Sequence, residues 1–131
     1  MAVDHVLLRW AGIASEDLSA KQYHFIEVEA EGGIEVAEEN SRAYVLQDAP
    51  KENQPGTYAV AGIAKAIAGE EILGGEAISV NGESTAKKAT ATKVGSEKVE
   101  TEGTLIVGHA LTKAAAKGDL FTFVVSTGGR A

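Results

Sequence analysis

A mainly β single domain is what this sequence predicts, and three observations predict it. Short runs of β-formers such as Tyr23 to Glu29, Ala43 to Gln47 and Leu120 to Val124 alternate along the chain and are bounded by Gly, Pro, Asn and Asp turn signals. Glycines interrupt the stretches that would otherwise suit a helix; Gly62 and Gly69 leave too few residues between them for a stable one. An apolar run with an internal Gly, an Ala-rich middle, a Gly followed by an acid and an alternating run occur in that order twice, at 57–81 and 104–126. The spacing from Gly62 to Gly75 is 13 and from Gly108 to Gly118 is 10, so the duplication is imperfect and sits inside one domain. Two copies make no solenoid, which needs at least about three.

The elements follow in order. Residues 1–14 contain the only Trp and an apolar set, Val3, Val6, Leu7, Leu8 and Trp10, that suits neither a frayed end nor a polar leader. They read either as a first strand or short helix on the domain's own core, or as an arm that pairs with another chain's sheet edge. Tyr23 to Glu29 and Ile34 to Ala37 flank Gly32-Gly33 and form a hairpin. Its first arm sets Tyr23, Phe25 and Glu27 on one face and His24, Ile26 and Val28 on the other. Ala43 to Gln47 is the next strand, and 48–56, which holds both prolines, is an exposed loop ending in a Pro-Gly turn. Val60 to Ala68 fits either period in part, and its glycines favour strand. After the Asn81-Gly82 turn, 83–103 carries a weak strand near Ala86 to Lys93 between mobile loops. Phe121, Phe123 and Val125 share one face of the last strand, and 127–131 is expected as a flexible tail.

A chain of 131 residues is one domain by length and buries roughly two-thirds of its unfolded surface on folding. With 44% hydrophobic but only 5% aromatic residues and 15 Gly, the core has to be built of small side chains. There is no Cys, which excludes disulfides and thiolate metal sites. No apolar run reaches the length of a membrane helix, and Asp4 and Arg9 break the first apolar stretch where a signal peptide would be continuous. The net charge of −7 comes from residues 1–60, with 11 acids against 4 bases, while 61–131 hold 8 of each. Nucleic-acid binding, which needs a basic footprint, does not fit that balance.

Catalytic chemistry finds little footing. Ser84-Thr-Ala-Lys87 matches the Ser-x-x-Lys element of penicillin-recognising enzymes, but neither companion element is present. The Gly-Gly pairs lack the dinucleotide and phosphate-loop spacings. His5, His24 and His109 form no paired metal motif, and the Glu residues at 70, 71, 97, 100 and 102 sit among Gly, Ser, Lys and Thr as solvated loop charges. The expectation is therefore no enzyme activity, no metal and no cofactor.

The ordered set Asp17-Leu-Ser-Ala20, Gln22-Tyr-His-Phe25, Tyr44-Val-Leu-Gln47, Val60-Ala-Gly-Ile-Ala-Lys65, Ala68-Gly69, Gly75-Glu76, Ile106-Val-Gly-His-Ala-Leu111 and Gly118-Asp119-Leu120 resembles the tailed-phage capsid cement proteins. The likeness spans about Asp17 to Val125 and rests on the order of many modest motifs. It implies a small β-barrel of β-clip or β-tulip type, with at most one or two short helical turns, similar to lambda-type head decoration proteins. It also implies a place on the outer surface of the virion capsid after synthesis in the bacterial cytoplasm. The implied partners are the major capsid protein and further copies of the chain, usually as a homotrimer, with no nucleic acid and no membrane. On this resemblance 1–14 is an extended capsid-binding arm with Val3, Val6, Leu7, Leu8 and Trp10 as its contacts, and 15–126 is the barrel. Val60, Ile63, Ile106, Leu111, Phe121 and Phe123 become core or oligomer interface. The rival reading is a head fibre or host-surface binding module that uses the loops at 48–56 and 83–103.

Overall fold

The structure, a computed structural model, describes residues 5–89, 92–94, 97–99 and 105–130; for 92–94, 97–99 and 127–130 it describes the backbone alone. Among these residues every regular element is a strand, and the chain is a small mainly-β barrel. The strands are β1 (His5–Ile13), β2 (Phe25–Val28), β3 (Ile34–Val36), β4 (Tyr44–Leu46), β5 (Pro55–Ile67) and β6 (Ala77–Val80). They continue as β7 (Ala86–Lys88), β8 (Thr92–Val94), β9 (Glu97–Val99), β10 (Leu105–Ala110) and β11 (Leu120–Arg130). The main sheet runs β3-β2-β4-β5-β11-β10-β6-β7, β1 joins it through β5, and β8 and β9 pair separately.

β5 is the spine. Ala59 pairs with both Val45 and Arg9, and Ile63 with both Val124 and His5, so β4 and β11 share one edge of β5 while β1 takes the other. At Gly62, where φ is +103°, the strand takes an extra step. Before it Ala59 faces the barrel interior, and after it Ala64, Ala66 and Ala68 do, so the inward parity changes from odd to even. A Cβ at Gly62 would stand 2.6 Å from the Leu7 nitrogen and 2.7 Å from the His5 oxygen, so only glycine lets β1 lie this close.

The two Gly-acid turns are built alike. Leu73 donates its N–H to Glu76 Oε1, and Ala116 donates to Asp119 Oδ2, with Gly75 and Gly118 both at positive φ. Each turn locks onto the other half. Gly75 donates to the Ala110 carbonyl and Ala110 to that of Glu76, while Gly118 donates to Ala68 and Ala68 to Asp119. Ile72 and Ala114 exchange two further hydrogen bonds of 3.0 and 2.8 Å between the connecting segments.

The barrel interior is packed by Phe25, Phe121 and Phe123 over a floor of alanines from β5, β7 and β10, the small-residue core that the composition requires. A second apolar cluster lies on the opposite face of β2–β5: Ile26, Ile34, Leu46 and Tyr58, roofed by Ala14 and Leu18. Both faces of the hairpin strand β2 are thus buried, Phe25 in one cluster and Ile26 in the other.

The C-terminus departs from expectation. In place of a flexible tail over 127–131, β11 continues to Arg130, pairing Gly129 with Ile106 and Arg130 with Leu105. The Gly-Gly step does not end the strand because β10 supplies a ladder along it.

Candidate interaction surface

Most strand edges of this sheet are closed. The outer side of β3 receives the segment after β1: Ser15 donates its N–H to the Ile34 carbonyl at 2.9 Å, and the Val36 N–H donates to Glu16 Oε2. At the far end, Gly69 donates to the Ala86 carbonyl of β7, Phe25 to Ser84 and Asn40 to Val80, which curls the last strands back towards β2. These bonds satisfy backbone groups that an open sheet would leave exposed.

β1 is different. Ala14 donates to Gln54 and accepts from Asn53, which fixes the phase of the β1–β5 ladder. With the regular register from Arg9↔Ala59 to Ile13↔Pro55, Trp10 and Gly12 aim their backbone groups at β5, and Arg9, Ala11 and Ile13 aim theirs away. Among the described residues no strand pairs with that outer edge over Arg9 to Gly12; beyond them β3 closes it, since Ala14 bridges Ile34 in parallel. Register shifts between Val6 and Leu8 and between Leu8 and Arg9 kink the first half, and β3 takes over the edge after Gly12, so the straight open edge is 9–12.

The side chains of β1 are as uncovered as its edge. Leu7 is 74% exposed and Trp10 65%, with Leu8 and Ile13 about half exposed. Leu8 and Trp10 border an apolar groove of about 330 Å³ whose floor is Val28, Tyr44, Tyr58 and Val60. This groove is the unroofed part of the second cluster, where Tyr44 and Tyr58 stack with centroids 5.5 Å apart. Burial, and then the neighbouring Tyr44, push the Tyr58 hydroxyl pKa upward, so the groove stays neutral. An apolar ridge on an open strand edge beside an apolar groove is the chemistry of a protein-binding surface.

Next to it lies a cluster of carboxylates. Burial, and then Glu29, Glu27, Glu16 and Glu38, raise the pKa of Glu35 on β3. Glu29 Oε1 is buried with no hydrogen-bond partner among the described residues. The two ion pairs found among those residues, Lys87–Glu39 and Lys117–Glu83, lie elsewhere.

The residues singled out in the sequence fall into distinct places. Val6, Leu7, Leu8 and Trp10 come together on β1, whereas Val3 lies outside the described residues. Their backbone is no free arm, since β1 is zipped to β5 of its own domain; Val6 even packs against the barrel core. Phe121 and Phe123 are fully buried and serve as core, not as an interface between copies. Val60, Ile63 and Ile106 are half-buried, and Leu111 is exposed in the turn after β10. Sequence reading missed Val28, Tyr44 and Tyr58 as groove residues. The available signal was the Tyr in each of two neighbouring strands, but their pairing across β4 and β5 is set by tertiary register. His5, His24 and His109 stay apart on β1, before β2 and on β10, and no group of three metal-ligating side chains occurs among the described residues.

The geometry defines a class: a small β-barrel in which, among the described residues, the outer edge of β1 is unpaired and lined by exposed apolar side chains. Comparison with solved structures finds the same fold in the N base of the head fiber protein gp8.5 of bacteriophage phi29, at 22% identity and a TM-score of 0.60, covering 91% of this chain and 93% of that one. No family model and no curated protein matches the sequence.

Proposed function

We propose that this chain is a structural protein of the outside of a phage head, a capsid cement protein that docks β1 on the major capsid protein and staples neighbouring subunits. The observation that carries the reading is the uncovered pair Leu8 and Trp10 beside the groove, with Leu7 and Ile13 also exposed, on a strand whose outer edge is unpaired among the described residues. Burying one such side chain is worth roughly 1.5–3 kcal/mol, and added main-chain hydrogen bonds would fix the register. The fold likeness to a head fiber base supports a head-exterior location. The chain acts without catalysis and without a cofactor. Homotrimers that engage several capsid subunits gain effective concentration from each contact already made.

The same likeness favours one second reading, in which the barrel is the base of a fibre or host-surface module and β1 anchors it to the head. Both readings are tested by mixing the purified protein with expanded heads that lack it, pelleting them and imaging the heads by cryo-electron microscopy on heating. Cement predicts ordered density bridging capsid subunits and heads that survive hotter than bare ones. Density with no gain in robustness selects the fibre base, and protein left in the supernatant rejects both.

A further inference from the structure

The open edge of β1 has a direction in charge as well as in hydrogen bonding. At its start it carries His5 and Arg9. At its end it runs into the β2–β3 hairpin: a Cβ on Gly12 would stand 2.8 Å from the Gly32 carbonyl, and Ser15 bonds to Ile34. That hairpin carries Glu27, Glu29, Glu31 and Glu35, with Glu16 bonded to its outer strand. No described lysine or arginine makes an ion pair with any of them. Carboxylates gathered without an ion-paired partner repel one another, and an approaching cation relieves that repulsion.

Resting on the reading of β1 as the docking strand, we propose that its partner segment is an extended, alternately apolar strand that adds antiparallel to Arg9–Gly12 and carries Lys or Arg at its N-terminal end. An antiparallel strand on this edge starts beside Gly12, where β3 takes over the edge, so its first residues lie against the hairpin carboxylates. Its interior main chain pairs with the outward N–H and C=O groups of Arg9 and Ala11, and its apolar side chains lie beside Trp10. The opposite end meets Arg9, where further cations would be repelled. Recognition is therefore polar along the strand: the same composition written in reverse order is the wrong ligand.

The test uses the full chain labelled with nitrogen-15 and three synthetic nonapeptides that share an alternating Val-Thr body, one with two Lys at the N-terminus, one with two Lys at the C-terminus and one with two Glu at the N-terminus. The expected result is shifts of the Arg9 and Ala11 amides together with those of 29–35 for the first peptide. The other two should bind at least tenfold more weakly, and raised salt should erase the difference. Glu31→Gln with Glu35→Gln should bring the three peptides to equal affinity, and Ala11→Pro should abolish binding. Ala11→Pro removes an outward donor and no bond to β5, so the fold survives it. Three peptides bound equally to β1 would overturn the charge proposal and leave edge docking standing. Shifts that bypass β1 would overturn both. Sedimentation showing a self-associated chain that Ala11→Pro returns to monomer would assign the edge to a second copy and overturn the proposal as well.

Discussion

β11 and β1 pair with opposite edges of β5, yet β11 delivers Phe121 and Phe123 into the barrel fully buried while β1 leaves Trp10 65% exposed. Both are antiparallel, and both are adjusted around a glycine. At Gly108 a Cβ would collide with the Phe123 ring and the Val124 carbonyl, and at Gly62 it would collide with the backbone of β1. What separates the strands is the use of their side chains. β11 is held by burial; β1 is held by its ladder and keeps its apolar surface for something else.

The contrast can be broken from either side. Phe123→Ala should cost about 3–5 kcal/mol, because a large buried ring leaves a cavity among alanines that cannot collapse; urea unfolding measures it. Gly62→Ala should cost about 1–3 kcal/mol through its positive φ. The loss should appear first as faster hydrogen exchange in β1 while β11 stays protected. Trp10→Ala should change stability by less than about 0.5 kcal/mol in the same urea assay. A large cost there would mean that β1 is held by packing after all.

The smallest effect is electrostatic. Because the pKa of Glu35 is raised in the folded chain, folding favours its protonated form, and the ionised form weakens the hairpin as pH rises through its carboxylate range. Glu35→Gln should therefore stabilise the protein slightly at neutral pH, and the gain should vanish towards about pH 4. Melting temperatures of the pair at the two pH values give the sign.

Much of this contrast was legible in the sequence. The Gly32-Gly33 hairpin, the strand at Tyr44 and the Phe121/Phe123 face follow from local pattern, and β2, β4 and β11 realise them. Val60, Ile63 and Ile67 look ambiguous because the Gly62 bulge changes the parity within one strand, which imitates a helical spacing. Whether residues 5–13 pack on their own domain or reach outward could not be read either, since the answer depends on β5 having a free edge to offer. The structure resolves it in an intermediate way: the backbone pairs at home and the side chains face out. The groove floor required the register of three strands, which no local pattern encodes.

The central claim is that β1 carries the interaction surface, and the double variant Leu8→Asp, Trp10→Asp tests it most directly. Both residues are at least half exposed, so the variant should melt like the parent. Mixed with expanded heads that lack the protein and then sedimented, the parent should pellet with the heads and the variant should remain in the supernatant. A folded variant that decorates the heads at the parent's occupancy would contradict the account.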